Sequence, residues 1–137
     1  MEEDLKTFDG VSDSLKDYTS FEADCLQQLK DDTDETVALK ILARFYVTLE
    51  ESLNLLVSDL KDNHYEGIGK SSHKIAGSAD LVGFKDYAKK SRKLSHEVKD
   101  SSKREKLHQE VAMYLKEGKE ILEVIKKSFP ALQKYLN

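Results

Sequence analysis

Tryptophan is absent from this chain, and cysteine and proline occur once each. Cys25, standing alone, cannot close an internal disulfide, so a reducing cytoplasm is the simplest compartment. No apolar run approaches the roughly 18 residues that a membrane span requires, and nothing marks a membrane anchor. The opening Met1-Glu2-Glu3-Asp4 is acidic and has no apolar core, which excludes a signal peptide. With so little proline and so much Lys, Glu and Leu, the composition suits a soluble helical bundle better than a sheet.

At 137 residues the chain is read as one domain, large enough for a core without staples. Its net charge of −4 argues against a general nucleic-acid binder. The charge is uneven: residues 1–35 hold twelve acidic and three basic side chains, residues 85–106 nine basic and four acidic. Such runs are usually solvated faces. A sharper reading has Lys89, Lys90, Arg92, Lys93 and Lys99 attracting an acidic partner.

Apolar periodicity divides the chain into helices. Leu5, Phe8, Val11, Leu15 and Tyr18 suggest a short or broken amphipathic helix within residues 1–20, interrupted at Gly10. A second short helix is expected from about Ser20, its cap, to Lys30. The longest signal before residue 65 runs from about Asp34 to Asn63, with Ala38, Leu42, Phe45, Leu49, Leu53, Leu56 and Leu60 in a stripe widened by Ile41 and Val57. Further helices are expected over Tyr65–Val82, Phe84 to about Lys99, and about Lys103–Ser128. Gly83 suits a left-handed cap. Pro130 ends the last helix or opens a final turn holding Leu132, Tyr135 and Leu136. The expected fold is all-α: an antiparallel up-and-down four-helix bundle over residues 20–128, with short N-terminal helices, residues 1–19 packed on it, and a tail at 129–137.

One stretch breaks a propensity rule. On a helical wheel, at about 100° per residue, Ile68, Ile75, Ala79 and Val82 share a buried arc and His73 points nearly opposite. Gly69 and Gly77 stand one turn either side of His73, each costing about 1 kcal/mol against alanine in a helix. A local rule broken around one exposed imidazole is where function is expected. Bare backbone beside the ring would admit another protein's surface. Leu81 also falls outside the apolar arc, as end packing or part of a docking patch. A lone surface histidine is ordinarily inert, and these neighbours set His73 apart.

His73-Lys74-Ile75-Ala76-Gly77-Ser78-Ala79, closing on Gly83, resembles the motif of histidine-containing phosphotransfer domains. His73, Ile75, Gly77, Ser78, Ala79 and Gly83 match that pattern in type and spacing, and a weaker similarity spans about residues 20–100. The resemblance implies a phosphocarrier without autokinase activity. His73 would accept a phosphoryl group from a receiver-domain aspartate and pass it to another. Partners would be receiver domains of response regulators or of a hybrid sensor histidine kinase, met by a cytoplasmic monomer. No cofactor is implied for the chain itself, because Mg2+ would sit on the receiver. Met1 favours a separate protein over a segment of a hybrid kinase.

Two positions depart from the family pattern. Ala76 stands where relatives carry Lys or Arg, and Lys70 and Lys74 are expected to supply that charge. Ser95 stands where relatives often carry a Gln or Glu that holds the imidazole, and its hydroxyl can still bond a ring nitrogen. Gly77 and Ser78 are read as supporting residues, and Gly69, Arg92 and Lys99 as electrostatic or docking residues. Leu94-Ser95-His96-Glu97-Val98 superficially resembles the phosphorylated box of sensor kinases. The following Asp100-Ser101 lacks its proline, and there is neither room for an ATP-binding domain nor a Gly-rich phosphate loop. His96 is therefore read as a surface residue, His64 and His108 as unconnected with a metal, and Cys25 as packing. Two rival readings stay open: a module of the same fold that binds receivers without carrying phosphate, and an unrelated helical scaffold.

Overall fold

From residue 35 onward apolar side chains recur every three or four positions, and the chain answers with one long helix, Glu35–Lys61. Asp34 caps it, its carboxylate accepting the Val37 N–H at 2.8 Å, a contact of about 1 kcal/mol. The computed structural model describes residues 23–136, which are helical with short connections and contain no strand. In chain order the helices are α1 (Ala23–Asp32), α2 (Glu35–Lys61), α3 (Tyr65–Val82), α4 (Lys85–Glu97) and α5 (Arg104–Ser128). Short 3-10 turns occupy Ser101–Lys103 and Pro130–Tyr135. The expected helix within residues 1–20, the Ser20 cap and Phe21 lie outside the described residues.

The stripe on α2 is buried from Ala38 through Leu56, with Leu39 and Ala43 added to it. Val57 is a correction. It is 48% exposed, because it follows Leu56 by about 100° of helix rotation and so leaves the buried arc. Ile41 and Leu60 are half-buried at the margin. Opposite α2 come Ile68, Ile75, Ala79 and Val82 from α3, Tyr87, Ala88 and Leu94 from α4, and Leu107, Val111, Tyr114, Ile121 and Ile125 from α5. Each large side chain so buried contributes about 1.5–3 kcal/mol. Phe129 and Leu132 close the core where the last turn packs on α2 and α5.

α3, the helix that carries His73, packs most extensively on α4 and then on α2. Its C-terminal turn is set by Gly83, at φ 105°, where a Cβ would be strained. There the Phe84 N–H donates to the Ala79 carbonyl at 2.9 Å and the chain reverses into α4. Phe84 then stacks on Phe45 of α2 at 5.8 Å between ring centroids.

α4 is fixed to α5 by a polar cluster inside the core. The Tyr87 hydroxyl donates to the Tyr114 carbonyl at 3.0 Å, and the two rings stack 4.5 Å apart. Ser91 donates to the Tyr87 carbonyl and meets the Tyr114 hydroxyl. Burial pushes the Tyr114 phenol up to about 12, so it stays neutral and keeps its proton for that network. Among the described residues no helix is long and apolar enough to cross a membrane.

Candidate functional site

The site follows from how tightly α3 approaches α4. A Cβ on Gly69 would lie 2.9 Å from Cγ2 of Val98, closer than real side chains come. Small residues continue this line at helical spacing: Ser72 is fully buried, its hydroxyl donating to the Ile68 carbonyl at 2.9 Å, and Ala76 is 3% exposed. Gly69 is therefore packing rather than open backbone, which corrects the expectation that it lies bare beside the ring. Gly77 fulfils that expectation, since among the described residues a Cβ there would meet nothing within 4 Å. The same tight line explains Ala76, where a lysine or arginine would have to start from a buried Cβ.

His73 stands on the exposed side of this seam. Among the described residues no hydrogen bond or ion pair holds its ring. It opens onto a groove of about 640 Å³ between α3, α4 and the start of α5. Gly69, Lys70, Arg92, Ser95 and Lys99 line this groove with His73, as do Tyr65, Glu66, His96, Val98 and Arg104. Four cationic side chains thus face one carboxylate, Glu66.

Those cations differ in their ties. Lys70 reaches Glu66 at 3.3 Å, but both are largely exposed, so the pair holds little. Arg92 meets Asp80 of α3 at 2.5 Å, which ties part of its charge to its own fold. For Lys99 and Arg104 no ion pair occurs among the described residues. Arg104 lies over the Tyr65 ring, its guanidinium carbon 4.2 Å from the centroid. Ser95 is buried and donates to the Arg92 carbonyl at 2.7 Å. Its oxygen can still accept a ring N–H, but its proton is committed.

Lys74 and Ser78 do not join His73 in this groove. They line a smaller cleft, of about 280 Å³, on the α2 side with Ile41, Arg44, Phe45, Thr48, Leu81 and Val82. Ser78 bonds back to the Ile75 carbonyl at 3.2 Å. Leu81, awkward on the wheel, is 51% exposed at the edge of that cleft. The basic run of residues 85–106 is also less available than its composition implies. Lys90 pairs with Glu117 at 2.9 Å and Lys93 with Glu97 at 3.6 Å, both within the molecule.

Tyr65, Arg104 and His96 were not legible as site residues. Tyr65 precedes His73 by two helical turns, and Arg104 reaches the groove only because α5 begins there. His96 is exposed, as expected of a surface residue, yet it lines the groove. His64 bonds Asp59 at 3.1 Å and His108 bonds Asn63 at 3.1 Å, and no metal-binding group of His, Cys, Asp or Glu occurs among the described residues. Cys25 is half-buried on α1.

No protein-family model, curated protein or solved structure matches this chain.

Proposed function

We propose that this protein is a phosphorelay carrier built as an antiparallel four-helix bundle from α2, α3, α4 and α5, with His73 as the phosphoryl acceptor and donor. The observation that carries the reading is an exposed imidazole, unheld by any described neighbour, in a groove with four cations and one carboxylate. The donor is an aspartyl phosphate on a receiver domain, and a second receiver aspartate takes the group onward. The transfer state is loose, so the protein needs to supply positioning and positive charge around the phosphoryl oxygens. The imidazole attacks as the free base, through its unprotonated ring nitrogen. The divalent cation of the reaction belongs to the receiver's aspartates.

The test is to mix the protein with a phosphorylated receiver and follow acid-labile label. Label should appear within minutes and vanish in His73→Gln. Persistence in that variant would defeat the assignment.

A second reading has a specific observation behind it. Ala76, where phosphotransfer domains usually carry a cation, is 3% exposed, so this chain has filled the position with packing. A module that binds receivers without carrying phosphate would tolerate that change. It predicts receiver binding with no transfer.

A further inference from the structure

We infer that Lys70 is a cation with two stations on α3: it sits on Glu66, and when His73 takes the phosphoryl group it moves one turn along the helix to the phosphoryl oxygens. Glu66 thereby sets how firmly the carrier holds its phosphate. The inference rests on the reading of His73 as the acceptor.

Glu66, Lys70 and His73 follow one another at spacings of four and three. At about 100° per residue they share an arc of about 60° on α3, and all three line the same groove. Side chains three or four apart on a helix are neighbours, with about 5–6 Å between Cβ atoms. Lys70 therefore reaches a carboxylate on one side and a group on the His73 ring on the other. Of the groove's four cations it is the one that shares a helix with His73.

Its partner before transfer is Glu66, at 3.3 Å. The two side chains are 77% and 74% exposed, so water and salt weaken the pair and it can be exchanged. A phosphoryl group brings a charge of about −2 and three strong acceptor oxygens, against the single charge of the carboxylate. An ammonium on a flexible stem with rotatable donors suits such a move. Arg92 is tied to Asp80, and Lys74 opens on the α2 side.

Glu66 acts through Lys70 and is a positioning residue. It lies about 10 Å along α3 from His73, at about 1.5 Å per residue, which exceeds the Debye length in physiological salt. Its own repulsion of the phosphoryl group is therefore largely screened, whereas its contact with the ammonium is direct.

In the step assisted, the unprotonated ring nitrogen of His73 forms an N–P bond as the acyl O–P bond of the receiver's aspartyl phosphate breaks. The aspartate leaves as a carboxylate with the bonding pair. The other ring nitrogen keeps its proton while the bond forms. Lys70 neither gives nor takes a proton and stabilises the charge on the non-bridging oxygens.

The experiment measures the equilibrium constant for phosphoryl exchange with one receiver in wild type, Glu66→Gln, Lys70→Gln and the double variant. This constant compares phosphorylated with free carrier, so a change in docking affinity does not move it. Glu66→Gln should shift it toward the carrier about threefold, and Lys70→Gln away from the carrier about fivefold. In the Lys70→Gln background, Glu66→Gln should shift it by no more than about 1.5-fold, the residue of screened repulsion. Equal effects of Glu66→Gln in both backgrounds would overturn the inference, since the carboxylate then acts without the lysine. A constant unmoved by either single variant would overturn it too. Absence of label on wild-type His73 would instead sink the carrier reading itself, an outcome separate from any behaviour of the variants.

Discussion

The exposed arc of α3 divides lengthwise into two unlike strips. Toward α4, Gly69, Lys70 and His73 lean over a groove whose far wall is Arg92, Ser95, Lys99 and Arg104. Toward α2, Lys74, Ser78 and Leu81 edge a smaller and more apolar cleft. Lys70 and Lys74 are one turn apart, separated by only about 40° of rotation, yet they serve different surfaces. The two glycines divide the same way. Gly69 is small so that α4 can come close, and Gly77 is small where none of the described residues comes within 4 Å of a Cβ. A glycine's role is set by what stands opposite it, which neither its own identity nor its distance from His73 discloses.

The largest effect expected along this divide is at Ala76, on the packed side. Ala76→Lys places an ammonium at a position 3% exposed and should cost about 2–4 kcal/mol, read as a lowered midpoint in urea. An unchanged midpoint would mean that the lysine stem escapes to the groove and the seam is looser than described. Gly69→Ala comes next. With its Cβ driven against Val98, it should lose about 1–2 kcal/mol by the same measurement, the clash outweighing the better helix propensity. Gly77→Ala should go the other way, gaining about 0.5–1 kcal/mol because nothing opposes the new methyl. If a receiver settles on this bare backbone, the same stabilised variant should transfer several-fold more slowly. A variant both more stable and equally fast would remove Gly77 from the docking surface.

The smallest effect concerns the joint between α4 and α5. The hydrogen bond from Glu110, ahead of opposing burial, holds the Glu97 carboxyl below the usual range, and the same bond holds Glu110 above it. Glu110, being raised, stabilises the fold below its unfolded pKa, about 4.5, and loses that contribution as pH rises through its folded value. Glu97, being lowered, contributes above its own unfolded value and loses this as pH falls through its folded value. Above the folded pKa of Glu110 two carboxylates therefore face each other. Glu110→Gln keeps a donor there at every pH, and should raise the melting temperature at neutral pH by about 2 °C while changing it little near pH 4. Equal shifts at both pH values would show that the bond does not titrate.

Much of the helical framework could be read from periodicity and punctuation. α3 spans the expected Tyr65–Val82, and Gly83 turns the chain in the left-handed conformation that its type suggests. Pro130 opens the terminal turn, where it needs no N–H partner. His73 was legible as outward-facing because Ile68, Ile75, Ala79 and Val82 fix the wheel's buried arc, and all four are buried. The wall opposite it was not legible. Which of Lys70 and Lys74 shares a groove with His73 depends on the tilt of α4, and Arg104 enters through a contact with Tyr65 that spans 39 positions of sequence. The basic run misled in a similar way, because Glu117, Glu97 and Asp80, its ion-pair partners, come from packing across helices or from the run itself.

The central claim is that one ring nitrogen in this groove takes the phosphoryl group. Its most direct test is to expose the protein to a phosphorylated receiver, digest it at neutral pH and locate the phosphate by tandem mass spectrometry. The account predicts phosphate on His73, with none on His64, His96 or His108. Phosphate on His96, its neighbour across the same groove, or on no histidine while the receiver is discharged, would contradict it.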